Sequence, residues 1–138
     1  ARAVAKQLDD ADLAIIDKRR PQANQAQVMH IIGDVEGMTA LLVDDVILSG
    51  GTLVNIAQKL LEEGAKEVYA AVTHAAMSEL TLERLADSPI KRLFVTDSIE
   101  TQPIDLPKMV EVVTVAPLFA EAIKRVHLRE SVSVLFRD

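Results

Sequence analysis

Short apolar runs alternate with amphipathic stretches along the whole sequence, and this alternation constrains the fold more than any other feature. The pattern is typical of β-α-β units, in which a buried strand is followed by a helix that crosses back over a parallel sheet. We predict strands at residues 13–16, 40–43, 68–72, 92–95 and 110–113, with a further edge strand compatible with residues 131–136. The sequence therefore predicts an α/β fold, a parallel sheet flanked by helices, in a single domain that spans residues 1–138.

Three helices are predicted between and after these strands. Residues 53–63 carry apolar side chains at helical spacing, and Gly64 follows as a stop signal. Ser78 can cap a second helix, and Pro117 suits the first turn of a third. Each helix is expected to cover a face of the sheet.

Composition limits the partners and the compartment. A net charge of -6 opposes nonspecific binding to nucleic acid, which requires Lys and Arg to neutralise phosphates. The absence of cysteine excludes a disulfide framework and a thiolate metal site, so we expect an intracellular, cytoplasmic protein. No apolar run approaches the roughly 20 residues that a membrane span needs, so no membrane partner is expected. Because the chain begins at Ala1 without an initiator Met, we expect a fragment or a processed product.

The segment from Asp44 to Thr52 is the most informative for function, because an apolar strand meets two carboxylates and then a glycine turn before a helix. Ligands of open α/β sheets bind at this position. Gly50 and Gly51 permit positive φ and let several N–H groups converge on one anion, while Ser49 adds a hydroxyl. The positive end of the following helix points to the same place, so the segment predicts a phosphate site. An ordinary strand-to-helix turn is the alternative interpretation.

Asp44 and Asp45 would repel a bare phosphate, so they must face something else. Sugar hydroxyls, which donate hydrogen bonds, and a divalent cation with oxygen ligands both meet this condition. A phosphorylated pentose with magnesium satisfies the whole segment, and Asp44 and Asp45 are then the candidate metal ligands.

Three consecutive cations, Lys18, Arg19 and Arg20, follow the first predicted strand in a polar segment that we predict to be a surface loop, residues 18–27. A mobile loop could bring them to a polyphosphate only in the transition state, which suits phosphoryl transfer. A solvated charge run is the alternative.

Histidines add one further candidate. His74 follows the third predicted strand and could reach the same crevice, with a structural role equally compatible. His30 and His127 fall in candidate helical or adjoining segments and are interpreted as structural. No spacing of histidines and carboxylates resembles a zinc site.

Seven segments in a fixed order carry a resemblance to a known family: residues 14–21, 28–37, 42–52, 64–70, 73–74, 95–99 and 120–123. Together they resemble the C-terminal half of ribose-phosphate diphosphokinase, also called phosphoribosyl pyrophosphate synthetase. The resemblance implies a phosphoribosyltransferase-type fold and a reaction in which ATP, with Mg²⁺, transfers pyrophosphate to the anomeric hydroxyl of ribose 5-phosphate. It also implies a homo-oligomer in the full-length family and an N-terminal half, absent here, that supplies much of the ATP site.

By position, the resemblance implies that Asp44 and Asp45 hold the ribose hydroxyls and that residues 49–52 (Ser49, Gly50, Gly51, Thr52) hold the 5-phosphate. Lys18 and Arg20 would act on the transferring phosphates, with Arg19 and His74 as further candidates.

The chain departs from the family pattern at Leu48, where the family has an aspartate, and at Ser49, where it has threonine. Gln22 and residues 75–79 also differ. Losing an acid removes a hydrogen-bond acceptor near the sugar, whereas the phosphate cradle should survive.

Two other functions stay open beside the diphosphokinase. Leu48 favours a noncatalytic module that binds phosphate or assembles with active subunits. A phosphoribosyltransferase shares the acidic and glycine-rich loop, but the long resemblance outside the loop argues against it. A dinucleotide site is rejected because no Gly-x-Gly-x-x-Gly follows the first strand.

Overall fold

A computed structural model describes residues 2–9, 11–19, 28–99 and 106–136, and for residues 18, 19, 28 and 29 it describes the backbone only. The elements in chain order are α1 (Arg2–Gln7), β1 (Ile15–Arg19), β2 (Val28–Ile32), β3 (Thr39–Ile47), α2 (Gly51–Glu62), β4 (Glu67–Ala75), α3 (Glu79–Ala86), β5 (Ile90–Thr96), β6 (Val110–Val113), α4 (Ala116–His127) and a 3₁₀ turn (Ser133–Phe136).

The main sheet contains four parallel strands in the order β3-β4-β5-β6. Its register places Leu42 of β3 beside Ala70 of β4, and Ala70 beside Leu93 of β5. Along β4, buried Val68, Ala70 and Val72 alternate with half-buried neighbours, because successive side chains of a strand point to opposite faces. The predicted α/β fold with a parallel sheet is confirmed.

The core lies between this buried face and the two helices α2 and α3. Helix α2 contributes Leu53, Ile56, Ala57 and Leu60, the apolar positions that the helical spacing predicted. Gly64 ends the helix with φ 90, a left-handed conformation that glycine adopts without steric cost. The N–H of Gly64 then donates to the carbonyl of Leu61, and the N–H of residue 65 to that of Leu60, which satisfies two carbonyls at the helix end.

The two other predicted helices are also present. Ser78 caps α3 by accepting the N–H of Thr81 at 3.3 Å, and the Thr81 hydroxyl accepts the N–H of Ser78 at 3.4 Å. Pro117 lies in the first turn of α4. No residue of α4 is buried within the described part of the chain, so its apolar side chains remain on the surface.

Two predictions about strands were wrong. Residues 13–16 do not form a strand of the parallel sheet: β1 spans Ile15–Arg19 and pairs with β2 antiparallel, in a separate two-stranded sheet. Residues 131–136 form the 3₁₀ turn Ser133–Phe136 instead of an edge strand. An apolar run favours burial, but it specifies neither the partner strand nor the direction of pairing.

Two further predictions need correction at the segment level. His30, which was assigned to a helical or adjoining segment, lies in β2 opposite Asp17, and its side chain is exposed. Lys18 and Arg19, which were assigned to a loop, continue β1. The rest of that predicted loop, residues 20–27, lies outside the described residues.

Candidate sugar-phosphate site

Strand β3 leads directly into the glycine turn and helix α2. The strand continues through Asp44 and Asp45 to Ile47, so the prediction that it ends at the carboxylates was wrong by several residues. The apolar pair that follows the acids extends the pairing with β4, where Val46 lies beside His74 and Ile47 beside Ala75. The acids therefore lie within β3, just before the turn.

Gly50 is the N-cap of α2 and has φ 69, in the left-handed region. A Cβ added at Gly50 would lie 3.3 Å from the Cγ2 methyl of Thr81 and 3.6 Å from Cγ of Leu85. Both the backbone angle and the close approach of α3 therefore require glycine at this position.

The carbonyl oxygens of Leu48, Ser49 and Gly50 in the turn each accept a hydrogen bond from a residue of α2 or α3. The Thr81 hydroxyl donates to the carbonyl of Leu48 at 2.7 Å, and Nη1 of Arg84 donates to the carbonyl of Ser49 at 2.7 Å. The carbonyl of Gly50 accepts the N–H of Val54 at 3.0 Å, as the first hydrogen bond of α2. The acceptor groups of the turn are thus held by the two helices.

The N-terminus of α2 presents the complementary donors. The first N–H groups of a helix have no intrahelical partner, and here no side chain caps them. No acidic residue lies in the first turn, so the positive end of the helix dipole is not offset there. This end of the helix is suited to an anion.

A cavity of about 300 Å³ joins the carboxylates to the turn. Asp44, Asp45, Ser49, Gly50 and Thr52 are among the residues that line it. Both aspartates are exposed, and Oδ1 of Asp44 accepts the N–H of Asp45 at 3.0 Å. An opening of this kind can place one ligand against an anion site and two hydrogen-bond acceptors at once.

Leu48 also lines this cavity and is 64% exposed. Its backbone carbonyl is held by Thr81, so the turn keeps its shape around an apolar side chain. Leu48 therefore adds an apolar side chain to the cavity wall, while its peptide group is held by α3.

His74 lies within β4 rather than after it, and its exposed ring is not among the groups that line the cavity in the described part of the chain. Its Nδ1 is 2.9 Å from Oγ of Ser98. The hydroxyl of Ser98 and that of Thr96 both donate to the carbonyl of Thr73, at 3.1 and 2.6 Å. This polar network connects the carboxyl ends of β4 and β5.

Asp97 stands beside that network and was not predicted as a functional residue. Hydrogen bonds from the Thr114 hydroxyl and the backbone N–H of Val115 hold the pKa of Asp97 below its ordinary value. The bond from Val115, at 2.8 Å, links the end of β5 to the start of α4. A lone aspartate before a predicted loop gave no sequence signal for this contact.

The predicted catalytic cations are only partly described. Lys18 and Arg19 are the last two residues of β1, and the structure describes their backbone but not their side chains. Arg20 lies outside the described residues. For metal binding, the described residues contain no group of three or more His, Asp or Glu side chains that could hold an ion. Asp44 and Asp45, the candidate metal ligands, are two neighbouring carboxylates and not part of such a group.

A family model described as phosphoribosyl synthetase-associated domain matches residues 8–137. The chain belongs to the phosphoribosyl synthetase-associated domain family. The match includes every strand of the main sheet and the turn before α2.

Similar proteins carry the name that the sequence resemblance suggested. The chain is 51% identical over 138 residues to a ribose-phosphate pyrophosphokinase of Shewanella oneidensis, covering 99% of this chain and 44% of that protein. It is 55% identical over 139 residues to a ribose-phosphate pyrophosphokinase of Caldanaerobacter subterraneus, covering 99% and 43%. The chain thus spans less than half the length of these relatives, and the resemblance to this family is confirmed.

The crystal structure of phosphoribosylpyrophosphate synthetase from Mycobacterium smegmatis superposes with a TM-score of 0.83 and 32% sequence identity, over 93% of this chain and 41% of that one. This family domain therefore has the phosphoribosyltransferase-type fold that the resemblance implied. Among its described residues, no helix is long and apolar enough to cross a membrane.

Proposed function

We propose that this domain is the ribose 5-phosphate-binding part of a ribose-phosphate diphosphokinase, which transfers pyrophosphate from ATP to ribose 5-phosphate to make phosphoribosyl pyrophosphate. One observation carries the proposal: the uncapped N-terminus of α2 and two exposed aspartate residues border the same cavity, while the carbonyls of the turn are held by α2 and α3. The names of the relatives support the same activity.

The two halves of the cavity suit the two halves of the sugar phosphate. The 5-phosphate would accept hydrogen bonds from the N–H groups of Ser49, Gly50 and Gly51 and from the hydroxyls of Ser49 and Thr52. The carboxylates of Asp44 and Asp45 would accept hydrogen bonds from the ribose hydroxyls. The negative phosphate would thus face hydrogen-bond donors, and the carboxylates would face neutral hydroxyl groups.

The carboxylates of this site could supply only part of the ligands that a magnesium ion needs. Mg²⁺ is commonly held by one or two carboxylates together with substrate phosphates and water, and Asp44 or Asp45 would supply such a carboxylate beside the cavity. When bound, the ion would neutralise charge on the phosphates of ATP. The protein residues would bind and orient the sugar so that its anomeric oxygen lies in line with the β-phosphorus of ATP.

Lys18 and Arg20, with Arg19 and His74 as further candidates, would stabilise charge on the transferring phosphates. The oxygen of the anomeric hydroxyl would form a bond to the β-phosphorus and release its proton to solvent, as the bond from that phosphorus to the α,β-bridging oxygen breaks and AMP leaves. The relatives are more than twice as long as this chain, so the complete reaction is proposed for the longer protein. Assembly as a homo-oligomer also remains a prediction.

A noncatalytic phosphate-binding module of the same family is a second candidate, and exposed Leu48 in the cavity wall favours it. An apolar side chain there can neither accept a hydrogen bond from the sugar nor join Asp44 and Asp45 in holding a metal ion. The two candidates share the phosphate site and differ in the chemistry beside it.

Calorimetric titration of the chain with ribose 5-phosphate, with and without Mg²⁺, tests the proposal, and ribose is the ligand control. Saturable binding that depends on the 5-phosphate is expected. Leu48→Asp should strengthen the Mg²⁺-dependent part of binding if the lost acid matters, whereas Ile123→Asp, at a similarly exposed position of α4, should change nothing. Absence of binding by folded parent and folded Leu48→Asp alike would refute the proposed site.

A further inference from the structure

We propose that Thr81 and Arg84 of α3 are positioning residues for the phosphate-binding turn, and this inference rests on the proposed function. The two side chains lie 33 and 35 residues away in sequence from the carbonyls that they hold. They are three residues apart on one helix, so they lie on the same face and reach consecutive peptide groups of the turn.

Thr81 is the one buried polar residue in the described part of the chain, at 2% exposure. Its hydroxyl has a single proton, which is donated to the carbonyl of Leu48 at 2.7 Å. The same oxygen lies 3.0 Å from Oγ of Ser78 and accepts the N–H of Ser78, so its orientation is set by the cap of α3. A buried hydroxyl held on several sides is well suited to fix the position of its acceptor.

Arg84 acts on the next peptide group and from the solvent side. Its Nη1 donates to the carbonyl of Ser49 at 2.7 Å and would be 3.5 Å from a Cβ at Gly51. The guanidinium group therefore lies beside Gly51, and its charge also strengthens the bond to the carbonyl of Ser49.

Holding these carbonyls fixes the donors that the ligand needs. The C=O and N–H of one trans peptide point in opposite directions. With the carbonyl of Leu48 turned to Thr81, the N–H of Ser49 points away from α3. Because the carbonyl of Ser49 is turned to Arg84, the N–H of Gly50 also points away from α3. Rotation of either peptide would replace a donor by a carbonyl oxygen, which repels an anion.

The test measures ribose 5-phosphate binding by titration calorimetry for the 138-residue chain and five variants. Thr81→Val removes the hydroxyl with little change in shape, whereas Thr81→Ser keeps the hydroxyl and removes only the methyl group. Arg84→Met removes the donor from an exposed side chain and should leave folding intact. Arg84→Lys keeps the charge, and Arg92→Met removes a surface arginine on β5 as the matched control.

Loss of a preorganising hydrogen bond should weaken binding by about tenfold in Thr81→Val and in Arg84→Met. Thr81→Ser and Arg92→Met should stay within about twofold of the parent, because each keeps the contacts of the turn. Arg84→Lys should fall between parent and Arg84→Met, because an ammonium lacks the planar fork. In ligand-free NMR spectra, the amide signals of Ser49 and Gly50 should shift in the two weakened variants, while those of β5 stay in place.

Each result has a distinct meaning. Parent-like binding by Arg84→Met and Thr81→Val overturns the positioning role and leaves the proposed function standing. Weak binding with unmoved Ser49 and Gly50 amides also overturns it, because the loss then has another cause. If the folded parent binds no ribose 5-phosphate, the proposed function fails and the positioning role falls with it. Should Thr81→Val not fold, exposed Arg84→Met decides the question.

Discussion

Gly50→Ala should destabilise the domain more than an alanine at another glycine of similar φ. A left-handed backbone costs a residue with Cβ roughly 1–2 kcal/mol. Alanine recovers roughly 0.4–1 kcal/mol of this by restricting the unfolded chain. At Gly50 the new Cβ also lies 3.3 Å from the Thr81 methyl, and overpacking of this kind adds about 1–2 kcal/mol.

The chain contains a matched control for the backbone term. Gly37 has φ 70, close to the 69 of Gly50, but a Cβ there would have no neighbour within 4 Å. Gly37→Ala should therefore cost only about 0.5–1 kcal/mol, against about 2 kcal/mol for Gly50→Ala. In thermal unfolding these values correspond to melting temperatures lower by about 2–3 °C and about 6 °C.

A double-mutant cycle isolates the steric term. Thr81→Ser removes the methyl that would meet the new Cβ but keeps the hydroxyl that holds Leu48. Gly50→Ala in the Thr81→Ser background should cost about 1 kcal/mol less than in the parent. Equal losses for Gly37→Ala and Gly50→Ala, or no coupling with Thr81→Ser, would refute the close contact between α3 and the turn.

Three other predictions concern stability. Hydrogen bonds from the Thr114 hydroxyl and the Val115 N–H lower the pKa of Asp97, so the stabilisation by its carboxylate is present above the ordinary aspartate pKa and is lost as the pH falls through the lowered folded-state pKa. In urea unfolding, the loss of stability caused by Asp97→Asn should therefore be largest near neutral pH and should shrink on acidification. A loss that stays constant with pH would contradict the assignment. Leu93→Ala, at a fully buried position in β5, should lower the free energy of unfolding by about 3 kcal/mol in the same assay, and a loss below about 1 kcal/mol would mean that the core at β5 is not closely packed. Ser78→Ala should cost about 1 kcal/mol by removing the N-cap of α3, whereas Ser78→Asp retains a capping acceptor and should cost less, and equal losses would argue against the cap.

The residue types of segment 44–52 predict a candidate site, but they gave the wrong end for the strand that carries it. The acids and the glycine turn are identified from residue types alone, because positive φ and anion binding depend on local chemistry. The predicted strand ended at Val43, because the two charged residues that follow interrupt the apolar pattern. In the structure, pairing with β4 continues to Ile47 because backbone hydrogen bonds do not depend on side-chain polarity.

The amino-acid sequence by itself determined helices α2, α3 and α4, the end of α2, the N-cap of α3 and the family. Helix α2 follows from the spacing of Leu53, Ile56 and Leu60, and its end from Gly64, because these signals act within one or two turns of chain. Only the tertiary structure decided that β1 leaves the parallel sheet and pairs with β2. It also decided that Thr81 and Arg84 hold a turn 33 and 35 residues away, because such contacts depend on how helices pack across the sheet and leave no local pattern.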